Sequence, residues 1–570
     1  MKKLLFLLLI MTGCHSDEHV GKHLSTVCNP LDIEYRLADG DVLRRDIGSP
    51  CVVLFRDEYY LFATNAKGYY RSSDLVRWDT VPTNLPSDAI APTVMEMDGE
   101  LYFMSSFKTD TIYRTNRPET GMWEIATDSF PYADLSQPML FCDDDKKVYL
   151  YASTGNPAVL VGVEINPDTW CPTDTLKPLV KGNRMKNGWE KPGDYNDWGV
   201  TDPTWIDEGW MTKHGGRYYL QYASPGSYLK SSNDAVYVSD HPLGPFLPAA
   251  HNPYAYKPEG FVAGIGYGCV FSDRYGNYWH VGTVPLATKT LFEGRLALHP
   301  AFFDKDSLLY VYTGWGDYPM YIPEKKVESP EEFFPGWMLL SYAKPVQASS
   351  ELRKHPAECA NDENIRSFWS AQSNGEGEYL SVDVGERCHA CAVQVSFADY
   401  ELDSCRSGDD RCYQFRIEAS ADGRRWTTVA DYADNRREAT HCYIPFARPV
   451  RKRYFRIVNL RCPTGKFSLL EFRIFGKSEK ALPGKTAIYI ADRDSTDRRT
   501  VFLKWKPAPD ALGYNIRYGS APDKMYHNYI LYDDTELTIR SLQADRSYYF
   551  TIDSFNEGGI TCGEKQSLIK

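Results

Sequence analysis

The sequence is short of several things. Long apolar runs are almost missing: apart from Leu4 to Met11, no stretch approaches the roughly 20 residues that a bilayer-spanning helix needs, and that run is itself too short. Positive charge is not in excess. The formal net charge is −12, which argues against a nucleic-acid partner, whose phosphates select a basic face. Amphipathic helical patterns do not separate the strand-like segments, so a parallel α/β fold is disfavoured. Cys388-His389-Ala390-Cys391 looks like half a zinc site, but no second half follows, and Cys405 and Cys412 can instead close a local loop. No zinc is expected.

What is present points to an exported, multidomain, all-β protein. At 570 residues several domains are expected, because single cores stop growing near about 250–300 residues. The 43% hydrophobic and 25% charged residues are ordinary for a soluble chain; 40 Tyr and 13 Trp are less so. Aromatic residues suit half-buried sheet surfaces. Their flat rings also stack on sugar faces, and the two readings are compatible.

Lys2 and Lys3 precede the N-terminal apolar run, and Thr12-Gly13-Cys14 follows it. A basic start and a short apolar run read as an export signal. Small residues directly before a cysteine resemble a bacterial lipoprotein signal. That resemblance implies Cys14 as the lipidated first residue of the mature chain, with the lipid as the only membrane anchor. An ordinary signal peptide cut nearby is the alternative. His15-Ser16-Asp17-Glu18 is similar to the surface-export signal of Bacteroides-type lipoproteins. An outer-membrane lipoprotein, periplasmic or at the cell surface, is therefore expected. Fourteen cysteines in an exported chain permit disulfides.

One pattern recurs five times: a small or polar residue, an apolar strand, a charged or glycine turn, then an aromatic strand. The copies run from Ser49-Pro50 to Tyr59-Tyr60-Leu61-Phe62, from Ala91-Pro92 to Leu101-Tyr102-Phe103, from Gln137-Pro138 to Val148-Tyr149-Leu150, from Asp207 to Tyr218-Tyr219-Leu220, and from Tyr267-Gly268 to Tyr278-Trp279. Their spacing fits four-stranded blades, predicting a five-bladed β-propeller over 30–322. A charged, proline-containing linker follows. Asn364-Ile365-Arg366-Ser367-Phe368-Trp369, Ala421-Asp422-Gly423-Arg424-Arg425-Trp426 and Tyr454-Phe455-Arg456-Ile457 then resemble a discoidin-type (coagulation factor 5/8 C-type) β-sandwich over 338–476. Leu503-Lys504-Trp505, Tyr514-Asn515-Ile516-Arg517-Tyr518 and Tyr548-Tyr549-Phe550 resemble a fibronectin type III β-sandwich over 484–570.

The first segment resembles glycoside hydrolase family 43 in Tyr59-Tyr60-Leu61-Phe62-Ala63, Tyr218-Tyr219-Leu220-Gln221-Tyr222-Ala223 and Asp273-Arg274-Tyr275-Gly276-Asn277-Tyr278-Trp279-His280. The resemblance implies inverting hydrolysis of plant-type glycans. Such chemistry needs two carboxyls about 6.5–9.5 Å apart, one to protonate the leaving oxygen and one to activate water. Counting back ten or eleven residues from each aromatic strand gives the expected channel positions: Ser49, Ala91, Gln137, Asp207 and Tyr267. The family pattern places an Asp base at the first, an Asp modulator at the third, a Glu acid at the fourth and a His at the fifth. Three are replaced here. Ser49 cannot act as a base near neutral pH unaided, and Gln137 cannot raise a neighbour's pKa by like charge.

Carboxylates close to these positions can restore the pair. Glu208-Gly209 matches the family's acid followed by glycine, and a bulge before Trp210 would turn Glu208 inward. Asp46 and Asp202 are the other candidates. Asp207, Glu208 and Asp46 are therefore the expected catalytic residues. Ser49, Gln137, Tyr267, Trp205 and Trp198 are the expected substrate contacts, with Trp189, Tyr195 and Tyr228 as further aromatic candidates. Tyr267 beside Asp207 also allows a tyrosine nucleophile, although a packing role is the simpler reading. No cofactor is required; whether a structural calcium ion sits in the channel or in the sandwich is left open by the sequence. Two functions follow: a glycosidase with an atypical catalytic set acting on a polysaccharide or oligosaccharide, or a non-catalytic surface glycan-binding protein derived from one.

Overall fold

The computed structural model describes residues 25–37, 45–106, 110–132, 135–154, 159–199, 204–402 and 411–570. Cys14, Asp202 and Cys405 lie outside the described residues. Among the described residues helix is confined to short 3₁₀ turns, and everything else regular is strand. None of these helices is long and apolar enough to cross a membrane.

Tight turns set the hairpins. Arg56 and Asp57, with φ of 50° and 65°, join Gly48–Phe55 to Glu58–Thr64. Asp98 and Gly99 do the same between Ile90–Met97 and Glu100–Ser106. Gly215 and Gly216 join Asp207–His214 to Arg217–Ser224. Two successive residues at positive φ match the twist of antiparallel strands.

The hairpins extend into five consecutive antiparallel sheets, each with a four-stranded path, the fourth carrying one extra short strand, Ala255–Tyr256. Their first strands are Gly48–Phe55, Ile90–Met97, Ser136–Cys142, Asp207–His214 and Cys269–Ser272. Each first strand contacts the next, and the fifth returns to the first, so the sheets close into a ring. Buried aromatic and aliphatic side chains such as Tyr70, Leu61, Trp279 and Val281 fill the seams between sheets.

A bulge interrupts the first strand of four sheets, between Gly48 and Cys51, Ile90 and Thr93, Ser136 and Met139, and Asp207 and Trp210. Each bulge holds a residue in the left-handed region: Ser49 (φ 47°), Ala91 (46°), Gln137 (50°) and Glu208 (48°). Tyr267, at 56°, precedes the fifth first strand. Non-glycine residues adopt this conformation seldom, and bulges re-aim side chains.

Two further β modules follow. In the first, Tyr379–Phe397 and His441–Arg461 are long bent strands at the centre of an eight-stranded sheet around a core that includes Trp369, Phe415 and Phe472. In the second, the sheet of Ile488–Arg493, Val501–Trp505 and Glu536–Ile539 faces the sheet built on Gly513–Gly519 and Tyr548–Asn556, over Trp505, Tyr514 and Phe550.

Both modules are fastened to the ring through buried polar groups. Arg473 is fully buried. Its Nε and Nη2 donate to Glu363 at 2.7 and 2.9 Å, and its Nη1 donates to the Asp317 carbonyl at 2.6 Å and to Gln394 Oε1 at 3.0 Å. Asp317 also binds Lys257 at 2.7 Å. On the other module, Tyr526 stacks on Tyr310 with centroids 3.7 Å apart, beside the Lys524–Asp304 ion pair at 2.9 Å.

Candidate active site

The ring geometry corrects one expected position. In the fourth sheet the bulge residue is Glu208, not Asp207: the register slips between Asp207 and Trp210, so Glu208 takes the place that Ser49, Ala91 and Gln137 hold in their sheets. A shared device fixes these positions. In three of the four sheets the amide of the bulge residue is capped by a hydroxyl from the second strand of the neighbouring sheet. Thr283 Oγ1 accepts from Ser49 N at 2.9 Å, Thr64 Oγ1 from Ala91 N at 2.9 Å, and Ser106 Oγ from Gln137 N at 2.7 Å. In the fourth sheet the equivalent hydroxyl, Ser153, bonds the Asp207 side chain instead. The Glu208 amide then donates to Gln137 Oε1 at 2.9 Å.

Ser49, Gln137 and Glu208 close on one another. Ser49 Oγ donates to Glu208 Oε1, and Gln137 Nε2 reaches the same oxygen at 3.4 Å. Burial pushes the Glu208 carboxyl well above the usual carboxylate range, although the Ser49 hydroxyl acts the other way. The three side chains line a small cavity of about 20 Å³ with Trp210 and Gly268.

Above it opens a cavity of about 890 Å³. Asp46, Asp207, Glu190 and Arg184 line it, together with Trp198, Trp205, Tyr228, Phe292 and Tyr267; Ser49 and Gln137 form its floor. Asp207 is only 6% exposed, and burial raises its carboxyl to about 7 against hydrogen bonds from the Trp205 and Ser153 side chains. Asp46 lies just before the first strand, within 3.4 Å of Asn65 Nδ2. Glu190 is likewise raised to about 7 by burial, while Tyr222, Asn187 and the Asn183 amide hydrogen-bond to it.

Tyr267 is buried. Its hydroxyl is pushed well up, first by burial and then by the nearby Asp207 and Glu208 charges, which disfavours the phenolate that a nucleophile would need. Its amide donates to Asp234 Oδ1 at 2.8 Å, and His280 Nε2 lies 2.8 Å from Asp234 Oδ2.

Not all expected aromatics meet the cavity. Trp198 and Trp205 line it while remaining 48% and 44% exposed. Tyr228 forms its edge with Phe292, the rings meeting edge-on at 5.8 Å. Trp189 is core: it is 1% exposed, and its indole donates to the Tyr222 hydroxyl at 3.2 Å. Tyr195 is exposed but does not line the cavity.

The C-terminal modules grip the rim. Arg499 donates to the Arg184 carbonyl, the Gly188 amide donates to the Leu542 carbonyl at 2.9 Å, and Lys191 pairs with Asp497 at 3.2 Å. Arg366 pairs with Asp194 at 2.7 Å and donates to the Tyr228 carbonyl at 3.3 Å. Sequence reasoning missed Glu190, Arg184, Asp234 and these contacts, because only the folded chain brings such distant segments together.

The channel residues do not fit a calcium ion, which takes six to eight oxygen ligands. Glu208 is the only carboxylate among the five positive-φ channel residues, and burial favours its neutral form. Among the described residues no group of three or more His, Cys, Asp or Glu is placed to hold a metal, the Cys388–Cys391 segment included.

Two segments of the chain match known families: residues 41–287 match Glycosyl hydrolases family 43, and residues 345–472 match the F5/8 type C domain. The first is thus a glycoside hydrolase domain at family level, and the second is discoidin-like. No curated protein matches the chain. Among solved structures, it is similar to one described as a glycoside hydrolase (17% identity, 75% of this chain and 97% of that one, TM-score 0.44). It is also similar to an endo-1,4-beta-xylanase from Bacteroides thetaiotaomicron (18%, 47% and 94%, 0.39) and to the Bacteroides ovatus protein Xyloglucan PUL GH43B (14%, 95% and 98%, 0.41). At such low identity and TM-score these likenesses carry no further conclusion.

Proposed function

We propose that the chain is an exported glycosidase with an atypical catalytic pair, Asp207 as general acid and Asp46 as the carboxylate that activates water. One observation carries this reading: Asp46 and Asp207 open onto one cavity lined by Trp198, Trp205 and Tyr228. The substrate is a polysaccharide or oligosaccharide whose sugar faces stack on those rings. Asp207, held near 7 by burial, is protonated in good part at neutral pH and can give its proton to the leaving oxygen. Asp46, just before the ring's first strand, takes a proton from the attacking water. Burial favours the neutral form of Glu208, against the hydroxyl that Ser49 donates to it. In that form it adds no second negative charge beside Asp207.

In this reading the closed ring of five sheets is a five-bladed propeller, and the last module is a fibronectin type III domain. The N-terminal segment carries the lipoprotein signal, with Cys14 as the lipidated residue and the lipid as the only membrane contact.

A second reading, capture of glycans without cleavage, is favoured by a specific feature. Where the family pattern has two Asp residues, Ser49 and Gln137 satisfy Glu208 instead. Reducing-end release and calorimetry on pectic, arabinoxylan and galactan oligosaccharides separate the two. Release by the lipid-free protein supports the glycosidase. Binding without release sinks it and leaves capture standing.

A further inference from the structure

The ring closes between its first and fifth sheets with no strand shared across the seam: each sheet is completed by its own strands. Two cysteines face each other there. Cys51 belongs to Gly48–Phe55 and Cys269 to Cys269–Ser272; each is 1% exposed. The Val52 amide donates to Cys269 Sγ at 3.4 Å, which sets that sulfur against the backbone of the residue next to Cys51, and the Cys51 thiol adds to the upward push that burial gives the Cys269 thiol. Other cysteines are differently placed. Cys28 Sγ, for example, contacts Gln394 Oε1 and the Asp317 carbonyl at 3.5 and 3.6 Å.

We propose that Cys51 and Cys269 form a disulfide that clasps the ring shut when the chain folds in an oxidising compartment. The inference does not depend on catalysis. It joins the first and last sheets through residues far apart in sequence, the arrangement in which a cross-link removes most freedom from the unfolded chain. The chemistry is thiol–disulfide exchange. One cysteine thiolate attacks a disulfide-bearing oxidant, such as glutathione disulfide or a dithiol oxidase, and forms a mixed disulfide. The second thiolate displaces the oxidant's remaining thiol. The two cysteine sulfurs lose two electrons in total, the oxidant's disulfide gains them and leaves as two thiols, and the protons of the cysteines pass to those leaving groups. Because burial pushes the Cys269 thiol well up, thiolate is scarce once the ring has closed. The bond therefore forms during folding rather than afterwards.

Peptide mapping tests this. The full chain without its signal segment is refolded with glutathione disulfide, and separately recovered after export to an oxidising compartment. Free thiols are blocked and the protein is digested with trypsin without reductant. The expected result is peptide 46–56 joined to peptide 231–274, separating on reduction. The melting temperature of the oxidised protein falls when reductant is added; in the Cys51→Ala/Cys269→Ala double variant, the part of that fall due to this bond disappears. Recovery of both peptides as blocked free thiols from both preparations overturns the proposal. So does their pairing with other cysteines in folded protein. A linked peptide in the refolded sample alone supports the clasp and shifts the fault to the export reading.

Discussion

Asp207 is a catalytic candidate whose position has a measurable cost. Burial moves its carboxyl from an ordinary 3.8 to about 7. The folded chain therefore holds a proton that the unfolded chain has released. Stability associated with this group is full below pH 3.8, falls as pH rises from there to about 7, and is flat above. The shift is about three units, which at ~1.4 kcal/mol per unit amounts to ~4 kcal/mol above neutrality. Asp207→Asn removes the ionisation but keeps the shape. At pH 8 the variant is expected to unfold later than the wild type by up to ~4 kcal/mol, reduced by whatever the new amide loses in hydrogen bonds to Ser153 and Trp205. At pH 4 the gain is expected to shrink to nearly nothing. Denaturant unfolding at the two pH values, followed by the fluorescence of the ring's tryptophans, measures the difference. Hydrolysis is expected to be lost in the same variant. An Asn variant no more stable than wild type at pH 8, or offset equally at both pH values, would refute the claim that burial sets the state of this carboxyl.

Three further outcomes are expected. Trp205→Phe removes an indole donor that favours ionised Asp207, so the alkaline limb of the pH–rate profile should move up by about one unit; an unmoved limb contradicts the assignment. Trp198→Ala should weaken oligosaccharide binding about tenfold, ~1.4 kcal/mol, in calorimetry, with the fold unchanged by circular dichroism. Arg473→Met leaves Glu363 buried without its partner, and should destabilise the junction of ring and discoidin-like module by ~3–5 kcal/mol in thermal unfolding.

The all-β character and the repeated hairpins were legible because strand alternation and turn chemistry are local. Four channel positions, Ser49, Ala91, Gln137 and Tyr267, follow from counting back along each repeat and coincide with the residues at positive φ. The fourth repeat misled the count by one residue, since a bulge is invisible to period-two alternation. A signal was nonetheless present: Thr64, Ser106 and Ser153 end the second strands of their sheets, and the hydroxyls of Thr64 and Ser106, like that of Thr283, cap the next sheet's bulge. Trp189 shows the converse, because nothing local separates a core indole from a rim indole. Glu190, Asp234 and the grip of Arg499 and Arg366 on the rim arise from contacts between remote segments. No local pattern encodes those.

Whether Asp207 and Asp46 work as a pair is decided by sugar release from one oligosaccharide substrate by the wild type, Asp207→Asn, Asp46→Asn and Glu208→Gln. The predicted result is that release falls by at least about a hundredfold, the scale of a lost acid or base, in each Asp variant, while Glu208→Gln keeps a substantial part of it. Release that survives both Asp variants and vanishes with Glu208→Gln would contradict the pair and return the acid to the bulge residue.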